Sequence, residues 1–150
     1  MHGFVAYHKL SRRQRFIDEI YVRPKHRRTN VAKSLLHRLC TGPLQLIVAA
    51  SNPAALQLYA KFGFCVVDDA CVYEPRRDEL CMRTTSYLRT RDMLAAYHLH
   101  DVVDVAWDEI PERTQMQMVA CLARHFGVSD RAAKARLRTT DSAMRYVLCK

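Results

Sequence analysis

The sequence predicts an α/β protein in which a mixed sheet is followed by an all-helical segment. Up to about Tyr87, short runs of β-branched and aromatic residues alternate with stretches of helical spacing, in the order β-β-α-β-α-β-β. This order is typical of a mixed α/β layer. From about Thr90 onward, apolar residues recur at helical spacing instead. We therefore expect an α/β core at residues 1–89 and a helical extension at residues 90–150.

The first three elements surround a basic loop. Strands are predicted at residues 3–10 and 15–22, joined by a basic turn as an antiparallel hairpin. Pro24 ends the second strand, because proline has no N–H to donate to a neighbouring strand. From Asn30 to about Leu39, apolar residues fall on one face of a helix.

The second helix of the core is marked at both ends. The apolar run at residues 44–50 predicts a strand buried on both faces. After it, Asn52 and Pro53 are typical of the cap and first position of a helix, which ends near Gly63. Two further strands are predicted before Tyr87.

The extension is predicted to contain three helices. They lie at residues 93–110, 114–126 and 129–139, with breaks at Pro111 and Gly127.

Composition narrows the class of protein. Hydrophobic residues make up 49% of the 150 residues and charged residues 26%, which favours a globular over a disordered chain. Nowhere do about 18 apolar residues run without interruption, and residues 1–10 do not resemble a signal peptide. We expect a cytoplasmic protein that does not contact a membrane. The six cysteines contain no C-x-x-C pair and are expected to be reduced.

The charge is strongly positive and unevenly placed. The formal net charge is +9, and residues 1–40 hold 10 basic against 2 acidic side chains. Residues 124–150 hold 7 against 2. Such clusters favour anionic partners, such as a phosphorylated cofactor, nucleic acid or an acidic substrate. The alternative is a solvated basic surface that keeps the protein soluble.

The loop before the first helix is a candidate phosphate site. A loop that leads into a helix N-terminus presents unpaired N–H groups, and the helix dipole favours negative charge there. Arg27, Arg28 and Lys33 add formal positive charge. The alternative is a solvated turn.

Two segments together resemble the GNAT N-acetyltransferase superfamily. NPAALQLYAKFGF at residues 52–64 resembles its second signature, and residues 22–32 resemble its first. The six residues 27–32 stand where that family has Arg/Gln-x-x-Gly-x-Gly/Ala, which holds the pyrophosphate of acetyl-CoA. The two signatures occur in the family's order, and the resemblance covers residues 3–87.

The resemblance implies an acetyl-CoA-dependent transfer of acetyl to a primary amine. Tyr59 would offer its phenol to the departing CoA thiolate, and Glu19 would act as base, directly or through a water. The alternatives are a core tyrosine and an exposed strand carboxylate. The implied cofactor-binding residues are Ile20, Tyr21, Val22, Arg27, Arg28, Thr29, Asn30, Val31, Ala32, Lys33 and Asn52.

Two departures from the family pattern bear on activity. Asn30 replaces the first glycine, and asparagine tolerates unusual backbone angles better than most residues. The chain also begins near the family's third strand, so the first strand, first two helices and second strand have no counterpart before Met1. Either a second subunit or residues 88–150 complete the acceptor site, or the domain binds a cofactor without efficient turnover.

Residues 117–138 resemble a helix-turn-helix. Gly127 would permit a left-handed turn residue and Ser129 would cap the second helix. Arg131, Lys134 and Arg138 would then face nucleic acid. The alternative is a helical hairpin that packs on the sheet or forms a homodimer.

No metal site is expected. His98 and His100 diverge on the predicted helix, and no further ligand cluster stands nearby in sequence. The leading hypothesis is an N-acetyltransferase whose acceptor is a protein, a peptide, a small molecule or an aminoacyl-tRNA. The alternative hypothesis is a nucleic-acid-binding regulator with a degenerate, cofactor-sensing acetyltransferase domain.

Overall fold

The fold is a seven-stranded mixed sheet covered by helices on both faces. The computed structural model describes residues 1–69, 71–96, 98–137 and 144–150. Within these ranges the strand order is β4-β5-β3-β2-β1-β7-β6. The elements are β1 (Gly3–Lys9), β2 (Arg15–Val22), α1 (Val31–Leu39), β3 (Leu44–Ala49), α2 (Pro53–Lys61), β4 (Phe64–Val66), β5 (Glu79–Thr84), α3 (Tyr87–Ala95), β6 (Val102–Ala106), α4 (Glu112–Phe126), α5 (Asp130–Leu137) and β7 (Arg145–Cys149).

The first half of the chain confirms the predicted order of strands and helices. β1 and β2 form an antiparallel hairpin with one bulge, where Asp18 is the extra residue opposite the step from Ala6 to Tyr7. β3 runs parallel to β2, and β5 pairs antiparallel with both β3 and β4. As predicted, Asn52 caps α2 and Pro53 is its first residue.

The prediction of an all-helical C-terminal segment is wrong. The helix expected at residues 93–110 is replaced by the end of α3 at Ala95 and by the strand β6. A further strand, β7, follows α5, and it pairs antiparallel with β1 on one side and with β6 on the other. The edge of β1 that does not pair with β2 explains this outcome. A strand that pairs there forms hydrogen bonds with its own backbone N–H and C=O groups, which a helix would otherwise form internally.

The last four elements complete the sheet. Their order is strand, helix, helix, strand: β6, α4, α5 and β7. This is the unit that the family resemblance places before residue 1, and here it follows α3 and pairs with β1. The expected loss of these elements is therefore not observed, because the sheet is complete in one chain. The helices α4 and α5 lie within the sheet topology and do not form a separate extension.

Two hydrophobic cores lie on opposite faces of the sheet. On β1, Val5 and Tyr7 face the first core, whereas Phe4 and Ala6 face the second. This alternation is the period of two expected of a strand with both faces covered. The first core includes buried residues of α1, such as Leu35, and the second includes buried residues of α4 and α5.

One disulfide departs from the expectation of reduced thiols. Cys71 and Cys81 are bonded, with their Cα atoms 6.2 Å apart. Cys40, Cys65, Cys121 and Cys149 are free thiols. Among the described helices, none has both the length and the apolar character needed to cross a bilayer.

Candidate functional site

The central feature of the candidate site is a gap between β2 and β3. In the described residues, the two parallel strands pair only where Arg15–Ile17 face Leu44–Leu46. β2 then continues to Val22, where its residues pair with β1 on one side only. The backbone groups of Ile20–Val22 that point away from β1 therefore border the gap. This is the divergence that the family resemblance implies for a strand-like contact with the pantetheine arm.

The loop that leads from β2 into α1 has an unusual backbone. Arg28 and Asn30 have φ angles of 63° and 64°, both in the left-handed region. The hydroxyl of Thr29 donates to the carbonyl of His26 at 2.6 Å, which holds the turn. Asparagine at position 30 thus adopts the left-handed backbone conformation that a glycine, the residue of the family pattern, would adopt easily.

The N-terminus of α1 fits an anion. Asn30 makes no side-chain capping bond, and the first turn of the helix contains no acidic residue. The backbone carbonyl of Asn30 accepts the N–H of Ser34 at 2.9 Å, which is the first regular hydrogen bond of the helix. The N–H groups of the first turn are thus left uncapped by Asn30 beside the exposed side chains of Arg27 and Arg28. Together, uncapped N–H groups, the helix dipole and two guanidinium groups are suited to bind a pyrophosphate.

Glu19 is a half-buried carboxylate on β2 beside this gap. Its side chain is only 15% exposed, and the guanidinium of Arg136 on α5 lies 3.3 Å away. Burial raises the pKa of Glu19, and the charge of Arg136 opposes part of that rise. A carboxylate with a raised pKa is a better proton acceptor than an ordinary one.

Tyr59 is buried on α2. It is 7% exposed, and its ring lies 5.5 Å from that of Phe64. Burial raises the pKa of its phenol above the ordinary value, and the charge of Glu19 raises it further. The two side chains are therefore close enough to interact electrostatically. At neutral pH the phenol keeps its proton and can donate it.

The comparison with known families gives one match, over the first part of the chain. Residues 2–64 match the profile of the Acetyltransferase (GNAT) family, which covers β1 to the first residue of β4. This stretch, less than half of the chain, is similar to that family. Residues 65–150 lie outside that match. The search of curated proteins gives no match.

Several solved structures are similar over part of the chain. One is a proposed acyl-CoA N-acyltransferase from Klebsiella pneumoniae, at 21% identity over 55% of this chain and 61% of that one, with a TM-score of 0.48. Ard1 from Thermoplasma volcanium is 24% identical over 54% and 60%, with a TM-score of 0.45. The ribosomal-protein-S18-alanine N-acetyltransferase from Escherichia coli is 26% identical over 55% and 60%, with a TM-score of 0.43. The matches thus span about three fifths of these structures.

Asn52 serves first as a helix cap. Its side-chain oxygen accepts the N–H of Ala55 at 3.1 Å, which satisfies one of the open donors of α2. The amide nitrogen of the same side chain remains the group that could donate to a pantetheine carbonyl. The cap and the predicted contact with the cofactor therefore use different atoms.

Arg136 is the site residue that the sequence analysis missed. It comes from α5, and its guanidinium also lies 4.2 Å from the centre of the Phe126 ring at the end of α4. Nothing in the spacing of residues signals a contact with Glu19, because the two belong to opposite halves of the sequence. Only the docking of α5 against the sheet brings them together.

The local turn chemistry of residues 117–138 is as predicted, but the helix-turn-helix function is not supported. Gly127 has a φ of 63° and Ser129 accepts the N–H of Ala132 at 3.2 Å. However, Ala133 and Leu137 are buried in the core beneath the sheet. The hairpin therefore packs on the sheet, which was the alternative. Arg131 and Lys134 are exposed on α5, and Arg138 lies outside the described residues.

A separate cavity lies away from the gap. It has a volume of about 470 Å³ and is bordered by β6, β7 and the start of α4, including Val103, Glu109 and Leu148. None of the predicted site residues lines it. We assign it no part in the candidate site.

Proposed function

We propose that the chain is an acetyl-CoA-dependent N-acetyltransferase that transfers acetyl to a primary amine by direct attack. The observation that carries the proposal is the juxtaposition of three features. The gap beside β2 adjoins the uncapped, cationic N-terminus of α1. Glu19 on β2 is ion-paired with Arg136, and its charge reaches the buried phenol of Tyr59 on α2 and raises the pKa of that phenol. Each feature has a separate task in acetyl transfer.

The binding of acetyl-CoA would use mainly backbone groups. The exposed edge of Ile20–Val22 would pair with the pantetheine arm, and the amide of Asn52 would add one side-chain contact. The N–H groups of residues 28–33, with the side chains of Arg27 and Arg28, would hold the pyrophosphate, whereas the N–H of Arg27 donates to the carbonyl of Pro24. Acetyl-CoA itself supplies a thioester, whose acetyl group can be passed to an amine.

The residues at the gap would move two protons. Glu19, directly or through a water, accepts the proton that the acceptor ammonium must lose before its nitrogen can attack. A C–N bond forms, the C–S bond breaks, and Tyr59 donates its proton to the departing sulfur. No covalent enzyme intermediate is needed, because both substrates occupy the site together.

The acceptor side would be built within one chain. The family resemblance implies that a strand–helix–helix–strand unit shapes the acceptor pocket, and β6, α4, α5 and β7 form such a unit here. A second subunit is then not required to complete the pocket. The positive net charge of +9 favours an acceptor that is acidic or associated with nucleic acid, such as an aminoacyl-tRNA.

Calorimetric titration with acetyl-CoA and with CoA tests the proposal. We expect saturable binding by the wild type and at least about tenfold weaker binding by Arg28→Glu, because the variant puts a negative charge beside the pyrophosphate. The matched control is Arg124→Glu, an equal charge change at an exposed position of α4. Absence of binding by the wild type, or equal loss in both variants, would remove the proposal. An acceptor screen that follows CoA thiol release would then identify the amine.

A further inference from the structure

We propose that His2, His100 and Cys149 form a binding site for one transition-metal cation of the zinc type. One ligand atom from each residue lies within 4.8 Å of the other two. The three come from the residue before β1, the segment before β6 and the last residue of β7. The acetyl-transfer chemistry uses none of them.

The surroundings of the Nδ1 atom of His2 indicate a binding site. It is buried, and within the described ranges no protein atom makes a hydrogen bond to it. A buried ring nitrogen without a partner is unfavourable, because it loses its bond to water and gains nothing in return. A cation held at this position would use the lone pair of that nitrogen.

His100 is held as a metal-binding histidine commonly is. Its Nε2 lies 2.5 Å from the carbonyl oxygen of Thr29, to which it donates. Its backbone N–H donates to the hydroxyl of Ser34 at 2.8 Å. Because Nε2 of the neutral ring carries the proton that it donates, the free lone pair is on Nδ1. Nδ1 is therefore the atom available for a metal.

Cys149 supplies the third ligand and the charge. It is fully buried, and among the described residues its sulfur makes one weak contact, at 3.9 Å with the carbonyl of Lys150. On binding, one metal–sulfur and two metal–nitrogen bonds form, and the proton of the thiol passes to the solvent. Two imidazoles and one thiolate are a ligand set that zinc prefers.

The distances require only a small adjustment. Tetrahedral zinc, with Zn–N of about 2.0 Å and Zn–S of about 2.3 Å, places its ligand atoms about 3.3–3.6 Å apart. Side-chain rotations that shorten the longest of these separations, at most 4.8 Å, by up to about 1.5 Å would suffice. The bound cation would join β1, β6 and β7, and through His100 it would steady the loop at Thr29.

Titration of the full-length protein with Co²⁺ and Zn²⁺ tests the site directly. The affinity tag is removed first, since His2 is near the chain end. We expect one equivalent of Co²⁺ to produce the near-ultraviolet absorption of a thiolate–cobalt bond, and Zn²⁺ to displace it. Cys149→Ser should abolish that absorption, and the control Cys65→Ser, at an exposed thiol, should keep it.

A second pair of variants separates ligation from folding. His100→Gln can still donate to the carbonyl of Thr29, but it lacks the ring nitrogen, so we expect metal affinity to fall by more than the 10–100-fold typical of an outer partner. The control is His98→Gln, at an exposed neighbour. Zn²⁺ should raise the melting temperature of the wild type and of His98→Gln only. No cobalt absorption in the wild type, or equal affinity in His100→Gln, would overturn the site. Binding of acetyl-CoA is not part of this test, so its outcome is independent of the proposed function.

Discussion

At the scale of single residues, the pairing of Glu19 with Arg136 sets the strength of the proposed base. Burial favours the neutral carboxyl, and the guanidinium at 3.3 Å favours the charged form. Since burial is the larger influence, the net pKa of Glu19 is raised. The same pair connects the proposed acetyl-transfer site to α5.

The first prediction concerns the pH dependence of activity. The proposed base must be charged to accept a proton, so kcat/KM should rise with pH through an inflection above the ordinary glutamate value of 4.5. In Arg136→Gln the influence that lowers the pKa is removed, and the inflection should move to still higher pH. An unchanged inflection in this variant would argue against Glu19 as the base. Glu19→Gln should abolish the inflection and lower kcat about 100-fold.

The same shift has a consequence for stability. Because the folded state holds the Glu19 proton more tightly than the unfolded chain does, this residue favours folding most below pH 4.5. Its contribution is lost as the pH rises through the raised pKa of the folded state. Urea unfolding at several pH values should show this loss in the wild type and not in Glu19→Gln.

The second prediction tests Tyr59 as the proton donor. Tyr59→Phe keeps the buried ring and removes the hydroxyl, so we expect kcat to fall about 100-fold while the affinity for acetyl-CoA stays the same. Tyr87→Phe, at the half-buried start of α3, serves as control and should leave kcat unchanged. Full activity of Tyr59→Phe would instead favour a tyrosine that only packs in the core.

At the scale of elements, the start of α1 depends on a backbone that most residues avoid. The side chain of Asn30 does not cap the helix, so its value lies in tolerating a φ of 64°. This explains how the loop keeps the family geometry without the family glycine. It also separates the effect of backbone strain from the effect of a lost cap.

The third prediction follows from this separation. Asn30→Ala should destabilise the fold by about 1–2 kcal/mol. The Cβ atom of alanine makes the left-handed conformation unfavourable, and its methyl group has no polar atom that could offset this by a local hydrogen bond. Asn30→Gly loses the same side chain without that strain and should lie within about 0.5 kcal/mol of the wild type. Denaturant unfolding measures both. Equal stability of the two variants would contradict the left-handed backbone at this position.

At the scale of the whole molecule, the sheet brings the two halves of the chain together along one strand. β1 pairs with β2 on one edge and with β7 on the other. The N–H of His2 donates to the carbonyl of Cys149 at 2.7 Å, so the two ends of the described chain are adjacent. Phe4 and Ala6 of β1 pack against the second core, and they would face water without α4, α5 and β7.

The fourth prediction uses this adjacency. In a circularly permuted variant, a short glycine linker joins Lys150 to Met1 and new ends are opened between His98 and Leu99. This variant should fold, and its free energy of unfolding should fall by no more than about 2 kcal/mol, because the entropic cost of closing a loop rises only slowly with the length of the loop. The control opens the chain between Leu46 and Ile47, inside the buried strand β3, and should not fold. Residues 1–89 alone should also fail to fold. Circular dichroism and thermal unfolding distinguish these outcomes.

The local signals of the first half were sufficient to predict its fold. Helical periodicity marked α1, an unbroken apolar run marked β3, and Asn52 with Pro53 marked the start of α2. Each signal depends on residues within one turn or one strand of each other. The basic loop and the site residues of β2 and α2 followed from the same segments through the family resemblance.

The second half could not be predicted in this way. Residues 102–106 and 145–149 are each five residues long, and periodicity alone cannot distinguish a strand from a helix in so short an apolar segment. Residues 145–149 form a strand that pairs with the open edge of β1, and residues 102–106 pair with that strand in turn.

The sequence by itself thus determined the order of strands and helices in the first half and the basic character of the loop before α1. Only the tertiary structure decided that the second half completes the sheet, that Arg136 meets Glu19, and that His2, His100 and Cys149 converge. The physical reason is that strand pairing and charge pairing act through space, whereas periodicity and capping act along the chain.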